Sequence, residues 1–218
     1  MVVRDAVAEA LAAVMTPLLV RSIVATLPSS SEGEVGSLDM MAGYDLLRYV
    51  ADGARIFSGP PSVDLLTTLH DLIGGSQSFR PSAQVLTVTS DHDVIAAQDA
   101  ARRLVRALFK PTDCVRVVTA VSELARNIYM YAGTGEVRLN VSEADRTITF
   151  QVIASDRGPG IARLEEILAG TYHSRSGLGR GLLGAKTLLE GLEIQTGPQG
   201  TTIKGVKQAR FADIMRVS

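Results

Sequence analysis

Residues 122–133 of this 218-residue chain read Ser-Glu-Leu-Ala-Arg-Asn-Ile-Tyr-Met-Tyr-Ala-Gly and follow a helical apolar pattern. Within them, Glu123 and Asn127 lie four residues apart, so both side chains project from the same face of the helix. A carboxylate and a carboxamide at this spacing can hold a Mg²⁺ ion and a proton-transfer site side by side. Alone, the pair is weak evidence, because Glu and Asn at this spacing usually mark a solvated helix edge.

A second motif, Asp156-Arg157-Gly158-Pro159-Gly160, directly follows an apolar stretch at Ile148–Ala154. An aspartate at the end of a strand and before glycines can place its carboxylate in a pocket. There it can accept a hydrogen bond from an exocyclic amine such as that of adenine. The same pattern is a common way to leave a strand in a plain turn, and the motif alone favours neither interpretation.

A third motif, Ser-Gly-Leu-Gly-Arg-Gly-Leu-Leu-Gly at residues 176–184, places glycines at the start of a helix predicted over Leu178–Glu190. Free backbone amides at a helix N-terminus attract phosphate oxygens. Residues 179–184 also spell G-x-G-x-x-G, but no strand is predicted before them, so the dinucleotide-binding interpretation fails. The segment 184–187 differs from a P-loop because Ala185 separates the glycine from the lysine.

Around these motifs the sequence mixes helices with strands. Thr112 or Asp113 is expected to cap the helix that carries Glu123, and Gly133 to end it. Alternating or β-branched runs predict five strands, at Gln84–Thr89, Glu136–Val141, Thr147–Ala154, Leu192–Thr196 and Thr201–Val206. Helices before and after antiparallel-looking strands predict an α+β fold, a two-layer α/β sandwich.

Taken in order, the three motifs resemble the N, G1 and G2 boxes of the Bergerat-fold (GHKL) ATPases. With Gly200-Thr201-Thr202-Ile203 as a fourth motif, the segment from about Ala83 to about Arg210 resembles the RsbT-type serine/threonine kinases of bacterial stressosome signalling. The resemblance implies ATP and Mg²⁺ as cofactors and a STAS-domain protein as the phosphorylated substrate. It also implies partner switching, in which the kinase is released to bind a downstream effector such as a phosphatase.

The resemblance assigns a role to each matching residue. Glu123 would be the general base that takes the proton from the substrate hydroxyl, and Asn127 would hold Mg²⁺. Asp156 would accept the adenine amine, and Gly158 and Gly160 would shape the floor of the pocket.

The remaining matches concern the phosphates and the far wall of the pocket. Thr201 would support the adenine side from a neighbouring strand. The phosphate-facing end of an ATP lid would be formed by Gly177, Gly179 and Gly181, after a flexible part at about Tyr172–Ser176. Leu178 and Arg180 are also expected to bind the nucleotide, although Arg180 stands where the family often has a small residue and either contacts a phosphate or points outward. Four cations are candidates for neutralising the phosphates, namely Arg126, Arg175, Arg180 and Lys186.

A second function of another class is also open. The chain could act as an anti-sigma-factor-like or nucleotide-binding switch protein, similar to RsbW or SpoIIAB, whose output is sequestration of a partner. Residues 122–133 favour the RsbT branch over the anti-sigma branch, and the presence of Glu123 argues against an inactive enzyme.

The first 80 residues have no counterpart in this resemblance. Their apolar spacing predicts helices at Ala6–Leu27, Leu38–Phe57 and Val63–Ile73, and the Gly-Ser-rich segment 74–78 is typical of a linker. The sequence therefore predicts a small all-α domain at residues 1–80 and an ATP-binding kinase domain at 81–218. The candidate roles of the first domain are a sensor, a docking surface or a dimerisation module, so a homodimer is among the expected assemblies.

Composition narrows the class of protein. With 46% hydrophobic residues, 21% charged residues and a net charge of −1, the chain is an ordinary globular protein and not a general nucleic-acid binder. The single cysteine, Cys114, suits a reducing compartment. The most apolar stretch, Ala6–Leu27, contains Glu9, Pro17 and Arg21, so it is read as a helix and not as a membrane span. We predict a cytoplasmic protein without a membrane or nucleic-acid partner.

Overall fold

The computed structural model describes residues 1–59, 61–74, 79–171 and 180–215. In these ranges the α-helices are α1 Val3–Ala12, α2 Pro17–Ala25, α3 Met40–Ser58, α4 Val63–Gly74, α5 Asp91–Val105, α6 Pro111–Asn127, α7 Leu164–Leu168, α8 Arg180–Leu188 and α9 Phe211–Met215. The strands are β1 Ser82–Val88, β2 Gly135–Ala144, β3 Thr147–Asp156, β4 Glu190–Gly197 and β5 Gly200–Arg210. No helix in the described part of the chain combines the length and the apolar character needed to cross a membrane.

The chain divides into two compact units. The first consists of Met1–Ser82 together with Ser142–Ile148 and Ala209–Ser218, and the second of Ala83–Val141 and Thr149–Gln208. The division after Ser82 lies close to the predicted boundary at residue 80, but the first unit also includes two later segments. That residues 1–80 and 81–218 form separate domains stays a prediction.

In the first unit, α1 to α4 pack on one another around an apolar core. The helix expected over Ala6–Leu27 is instead two helices, and that expectation is wrong. α1 ends at Ala12 and α2 begins at Pro17, because proline fits the first position of a helix but cannot donate the hydrogen bond that a continuing helix needs. The helices predicted near Leu38–Phe57 and Val63–Ile73 are present as α3 and α4.

A buried polar cluster joins α4 to the turn between β2 and β3 within this unit. The Nε2 atom of His70 lies 3.0 Å from the carboxylate of Glu143, whose side chain is 0% exposed. The Nδ1 atom of His70 lies 3.2 Å from Asp71, which in turn accepts a 2.6 Å hydrogen bond from Arg146. Partial burial disfavours the charged form of Asp71, but the hydrogen bonds from Arg146 and His70 outweigh it and lower the pKa of Asp71.

Aromatic rings enclose this histidine. The rings of Tyr44, Phe79 and Phe211 meet the His70 ring edge-on, with centroids 5.9, 5.0 and 4.9 Å away. Burial, and then the neighbouring Glu143 carboxylate, raises the pKa of Tyr44. The side chains that complete the first unit therefore come from residues 44–79 and also from Glu143 and Phe211.

The second unit is the predicted two-layer α/β sandwich, and this prediction is confirmed. The sheet has the order β1-β2-β3-β5-β4. Buried side chains alternate with less buried ones along β3, where the buried residues are Ile148, Phe150, Val152 and Ala154. All five predicted strands are present, with bounds that differ by a few residues.

Two hairpins shape the sheet. β2 and β3 are joined by a two-residue turn, Asp145-Arg146, whose φ angles of 48° and 56° match the twist of the flanking strands. β4 and β5 pair antiparallel, and their register places Thr196 opposite Thr201. The helix α6 packs against both α5 and α8.

The start of helix α6 differs from the prediction. It starts at Pro111 after Lys110, so the expectation that Thr112 or Asp113 caps it is wrong. Asp113 instead lies 3.5 Å from Lys207, which also lies 2.7 Å from Glu190. Burial of the Lys207 ammonium opposes its charge, but the hydrogen bonds and charges of Glu190 and Asp113 outweigh burial and raise the pKa of Lys207.

After Asn127 the helix widens into a π-helical turn, Ile128–Ala132. Gly133, with a φ of +76°, follows this turn, so the prediction that Gly133 ends the helix is confirmed. π-helical turns inside or beside α-helices are frequent at functional sites. The turn carries Tyr131 and Ala132 into the wall of the cavity described below.

A chain that begins at Ser82 tests the domain boundary. It would keep Glu143 and Phe211 but lose His70, Tyr44 and Phe79, which surround them. We expect this shortened chain to fold and bind nucleotide, because all four motifs lie beyond residue 120, but to have a lower free energy of unfolding than the full chain. Denaturant unfolding and calorimetry measure the two properties. A shortened chain that aggregates, or that fails to bind a nucleotide bound by the full chain, would show that the boundary is wrong.

Candidate nucleotide site

A cavity of about 320 Å³ lies in the second unit, between the end of α6, the end of β3 and the start of β5. Its wall is mostly apolar and includes Leu124, Ile128, Ala154, Ile161, Leu182 and Ile203. Five polar side chains join this wall, namely Asn127, Tyr131, Asp156, Arg163 and Thr201. A largely apolar cavity with a few polar groups is typical of a small-molecule site.

Asp156 ends β3 and has its two carboxylate oxygens in different situations. Oδ1 accepts hydrogen bonds from the backbone N–H groups of Gly158, at 2.8 Å, and Thr201, at 3.2 Å. Among the described residues, Oδ2 accepts none. One oxygen therefore fixes the side chain and the other is left to accept a donor from a ligand in the cavity.

Two glycines let the backbone close around Asp156. Gly200 has a φ of +133°, and a Cβ atom there would overlap the Asp156 carbonyl oxygen. Gly160 has a φ of +79°, and a Cβ atom there would overlap the carbonyl oxygen of Gly197. Any side chain at either position would push the loop after Asp156 away from the β4–β5 turn.

Glu123 and Asn127 lie one turn apart on α6, as the spacing predicts, but they face different surroundings. Asn127 lines the cavity. Glu123 is outside the residues that line it, and its Oε2 atom lies so close to Gly181 that a Cβ atom there would overlap it. A side chain at Gly181 would therefore displace the carboxylate of Glu123 from this position.

The structure brings together five of the predicted binding residues, since Asn127, Asp156, Gly158, Gly160 and Thr201 all line one cavity. Their roles toward a ligand stay predictions. The predicted site residues Gly177, Leu178 and Gly179 lie outside the described residues, as does the flexible part predicted at about Tyr172–Ser176. Arg180 begins α8, but its side chain also lies outside the description.

The candidate cations have different surroundings. The Nζ atom of Lys186 donates to the carbonyl of Leu168, at 3.4 Å, near the end of α7. Arg126 is exposed, and Arg175 lies outside the described residues. Neither Lys186 nor Arg126 lines the cavity.

Sequence reasoning missed Thr196, whose hydroxyl oxygen accepts from the backbone N–H of Ile161 at 2.8 Å and lies 2.9 Å from the hydroxyl of Thr201. A signal for it exists in Thr-Gly-Pro-Gln-Gly-Thr at residues 196–201, where a tight turn between two threonines predicts that they pair across a hairpin. Tyr131 and Ile167 also line the cavity and were given no role by the sequence.

Comparison of the sequence with known proteins shows the family to which the chain belongs. The model of the histidine kinase-like ATPase domain matches residues 88–207. The serine/threonine-protein kinase RsbT of Bacillus subtilis strain 168 is 36% identical over 126 residues, which cover 56% of this chain and 94% of that protein. The chain belongs to the RsbT-like kinases of the histidine kinase-like ATPase family. It therefore belongs to a family of ATP-binding enzymes, and the prediction of an RsbT-like kinase is confirmed.

A solved structure is also similar. It contains the RsbU and RsbW domains of a Mycobacterium tuberculosis protein, is 18% identical and has a TM-score of 0.42. The match covers 78% of this chain and 45% of that structure, so the chain spans less than half of its length.

The carboxylate of Asp156 in this RsbT-like kinase has a direct test. In Asp156→Asn, an amide oxygen can still accept from Gly158 and Thr201, which puts the amide N–H₂ donor where Oδ2 was. That donor would face the donor amine of adenine, so we expect ATP affinity to fall by ~1.5–3 kcal/mol. GTP, which has a carbonyl at that edge, should bind weakly to the natural chain. Calorimetry with both nucleotides measures the effects, and equal affinities of the natural chain for ATP and GTP would remove Asp156 from the site.

Proposed function

We propose that this RsbT-like kinase transfers a phosphoryl group from Mg-ATP to a serine or threonine hydroxyl of a STAS-domain protein in a bacterial partner-switching pathway. The observation that carries the proposal is the Asp156 carboxylate, held by two backbone amides with one oxygen left for a donor in an apolar cavity. Phosphorylation would release the kinase to bind a downstream effector such as a phosphatase.

The cavity fits an adenine nucleotide in size and chemistry. A planar base suits its apolar wall, and the exocyclic amine of adenine is a donor that the free oxygen of Asp156 can accept. The carboxamide oxygen of Asn127 is a hard ligand of the kind that Mg²⁺ prefers, and Asn127 lies in the same wall. Bound Mg²⁺ would supply neutralisation of the phosphate charges.

Glu123 supplies the acid-base chemistry in this proposal. Its carboxylate would take the proton of the substrate hydroxyl while that hydroxyl oxygen forms a bond to the γ-phosphorus and the bond from this phosphorus to ADP breaks. Gly181, at the start of α8, leaves the space in which the carboxylate lies. Asn127 and Glu123 lie one turn apart on the same helix, so α6 places the proposed metal ligand beside the proposed base.

Phosphate transfer to a STAS-domain partner tests the proposal against sequestration. We expect the purified chain to transfer the label from radiolabelled ATP to a STAS-domain protein whose gene lies near the gene of this chain. A chain that binds the partner and nucleotide but leaves the partner unlabelled would instead be a binding switch of the anti-sigma type. This single assay separates the two functions that the sequence left open.

Variants of α6 separate binding from chemistry. Glu123→Gln is nearly isosteric but cannot take the proton, so ATP affinity should stay close to normal while phosphate transfer falls by about 10²–10⁴. Asn127→Ala should weaken Mg²⁺-dependent ATP binding as well as transfer, because it removes the proposed metal ligand. ATP affinity, partner affinity and transfer are measured on both variants. Transfer at the natural rate in Glu123→Gln would mean that Glu123 is not the base.

The contact between Gly181 and Glu123 gives a second test within α8. In Gly181→Ala the new methyl group would displace the Glu123 carboxylate, and a displacement of about 1 Å can cost ~10²-fold in rate. Gly184→Ala is the matched control, because a Cβ atom at Gly184 would meet nothing within 4 Å. We expect transfer to fall strongly in the first variant and to stay close to natural in the second. Equal transfer by both variants would show that this contact does not matter to the reaction.

A further inference from the structure

The hydroxyl of Thr196 links two walls of the cavity. It accepts a 2.8 Å hydrogen bond from the backbone N–H of Ile161, in the loop after Asp156. Across the β4–β5 hairpin, the same hydroxyl lies 2.9 Å from the hydroxyl of Thr201. Ile161 and Thr201 both line the cavity, whereas Thr196 lies behind them.

The number of protons on the two hydroxyls indicates a direction for the hydrogen bond between Thr196 and Thr201. Either hydroxyl of the Thr196–Thr201 pair can be the donor. A hydroxyl has one proton, and the proton of Thr196 is not needed toward Ile161, because there Thr196 is the acceptor. If Thr196 donates to Thr201, its proton has a partner and the proton of Thr201 is left for the cavity. The opposite direction would leave the Thr196 proton without a partner among the described residues.

With Thr196 as the donor, Thr201 and Asp156 together present a hydrogen-bonding pattern to a bound base. Oδ2 of Asp156 is an acceptor, and the Thr201 hydroxyl in this direction is a donor, either directly or through a water molecule. Adenine offers the complementary edge, an amine donor at position 6 beside an acceptor nitrogen at position 1. Guanine and hypoxanthine offer the reverse, a carbonyl acceptor beside an N–H donor.

We propose that Thr196 is a specificity-determining positioning residue, which sets the direction of the Thr201 hydroxyl and thereby makes the cavity favour adenine over purines with a 6-carbonyl group. The proposal rests on the proposed binding of ATP in this cavity. Thr196 acts through Thr201 and does not touch the nucleotide. Its role is thus to determine whether Thr201 presents its proton or a lone pair to the cavity.

The experiment compares Thr196→Val, which removes the hydroxyl at nearly constant volume, with Thr196→Ser, which keeps it. The probes are ATP, ITP and purine riboside triphosphate, which keeps the acceptor at position 1 but lacks the 6-amine. With Val, the Thr201 hydroxyl loses the partner that orients it, so affinity for ATP and for purine riboside triphosphate should fall about five- to tenfold. Affinity for ITP should not fall, and Ser should restore the natural preference.

A matched control lies one residue from Thr201. Thr202 and Ser155 form another hydroxyl pair between neighbouring strands, at 3.3 Å, and neither residue lines the cavity. Thr202→Val therefore removes a comparable hydroxyl contact beside Thr201 on β5, and the ratio of ATP to ITP affinity should stay at its natural value. Thermal unfolding of each variant without nucleotide reports changes in fold stability separately.

The outcomes distinguish the proposed ATP binding from the proposed role of Thr196. Failure of the natural chain to bind ATP overturns the proposed function and this inference with it. Natural ATP binding with equal losses for ATP and ITP in Thr196→Val overturns only the inference, since the role of Thr196 is then structural. An unchanged ATP to ITP ratio in that variant overturns it as well. If Thr196→Val does not fold, Thr196→Ala is measured with the same three nucleotides.

Discussion

The hydrogen bonds from the backbone amides of Gly158 and Thr201 to one oxygen of Asp156 are the interaction on which the site depends. They hold the loop after β3 against the start of β5, and they determine which carboxylate oxygen remains for a ligand. A carboxylate that accepts two backbone N–H groups is also held in one rotamer, so its second oxygen has a defined direction. The glycines at 160 and 200 allow this arrangement because a side chain at either would overlap backbone atoms.

A similar arrangement recurs around the cavity, where contact with the backbone positions a polar side chain. Thr196 accepts from Ile161 and has a proton left for Thr201. Glu123 lies against Gly181, whose lack of a side chain leaves room for the carboxylate. Asp156 and Glu123 in this RsbT-like kinase thus lie where the backbone approaches closely, and the glycines at 160, 181 and 200 leave room for that approach.

The helical unit follows a different rule. Its core is apolar, but it also buries the His70–Glu143 pair among the rings of Tyr44, Phe79 and Phe211. A buried carboxylate is costly unless it is paired, so the residues from different parts of the chain stabilise this unit only together. Sequence periodicity predicted the helices but gave no role to His70, because its partner Glu143 is 73 residues away.

The sequence by itself determined the α+β sandwich, the five strands and the order of the nucleotide motifs, because alternation, helical spacing and glycine patterns are local properties. It also identified Asn127, Asp156 and Thr201, which the structure brings to one cavity. Only the tertiary structure decided that Glu123 lies against Gly181 and that Thr196 stands behind Thr201 and Ile161. The pairing of His70 with Glu143 was decided there too. These features depend on which distant atoms meet after packing, and no local pattern encodes such distances.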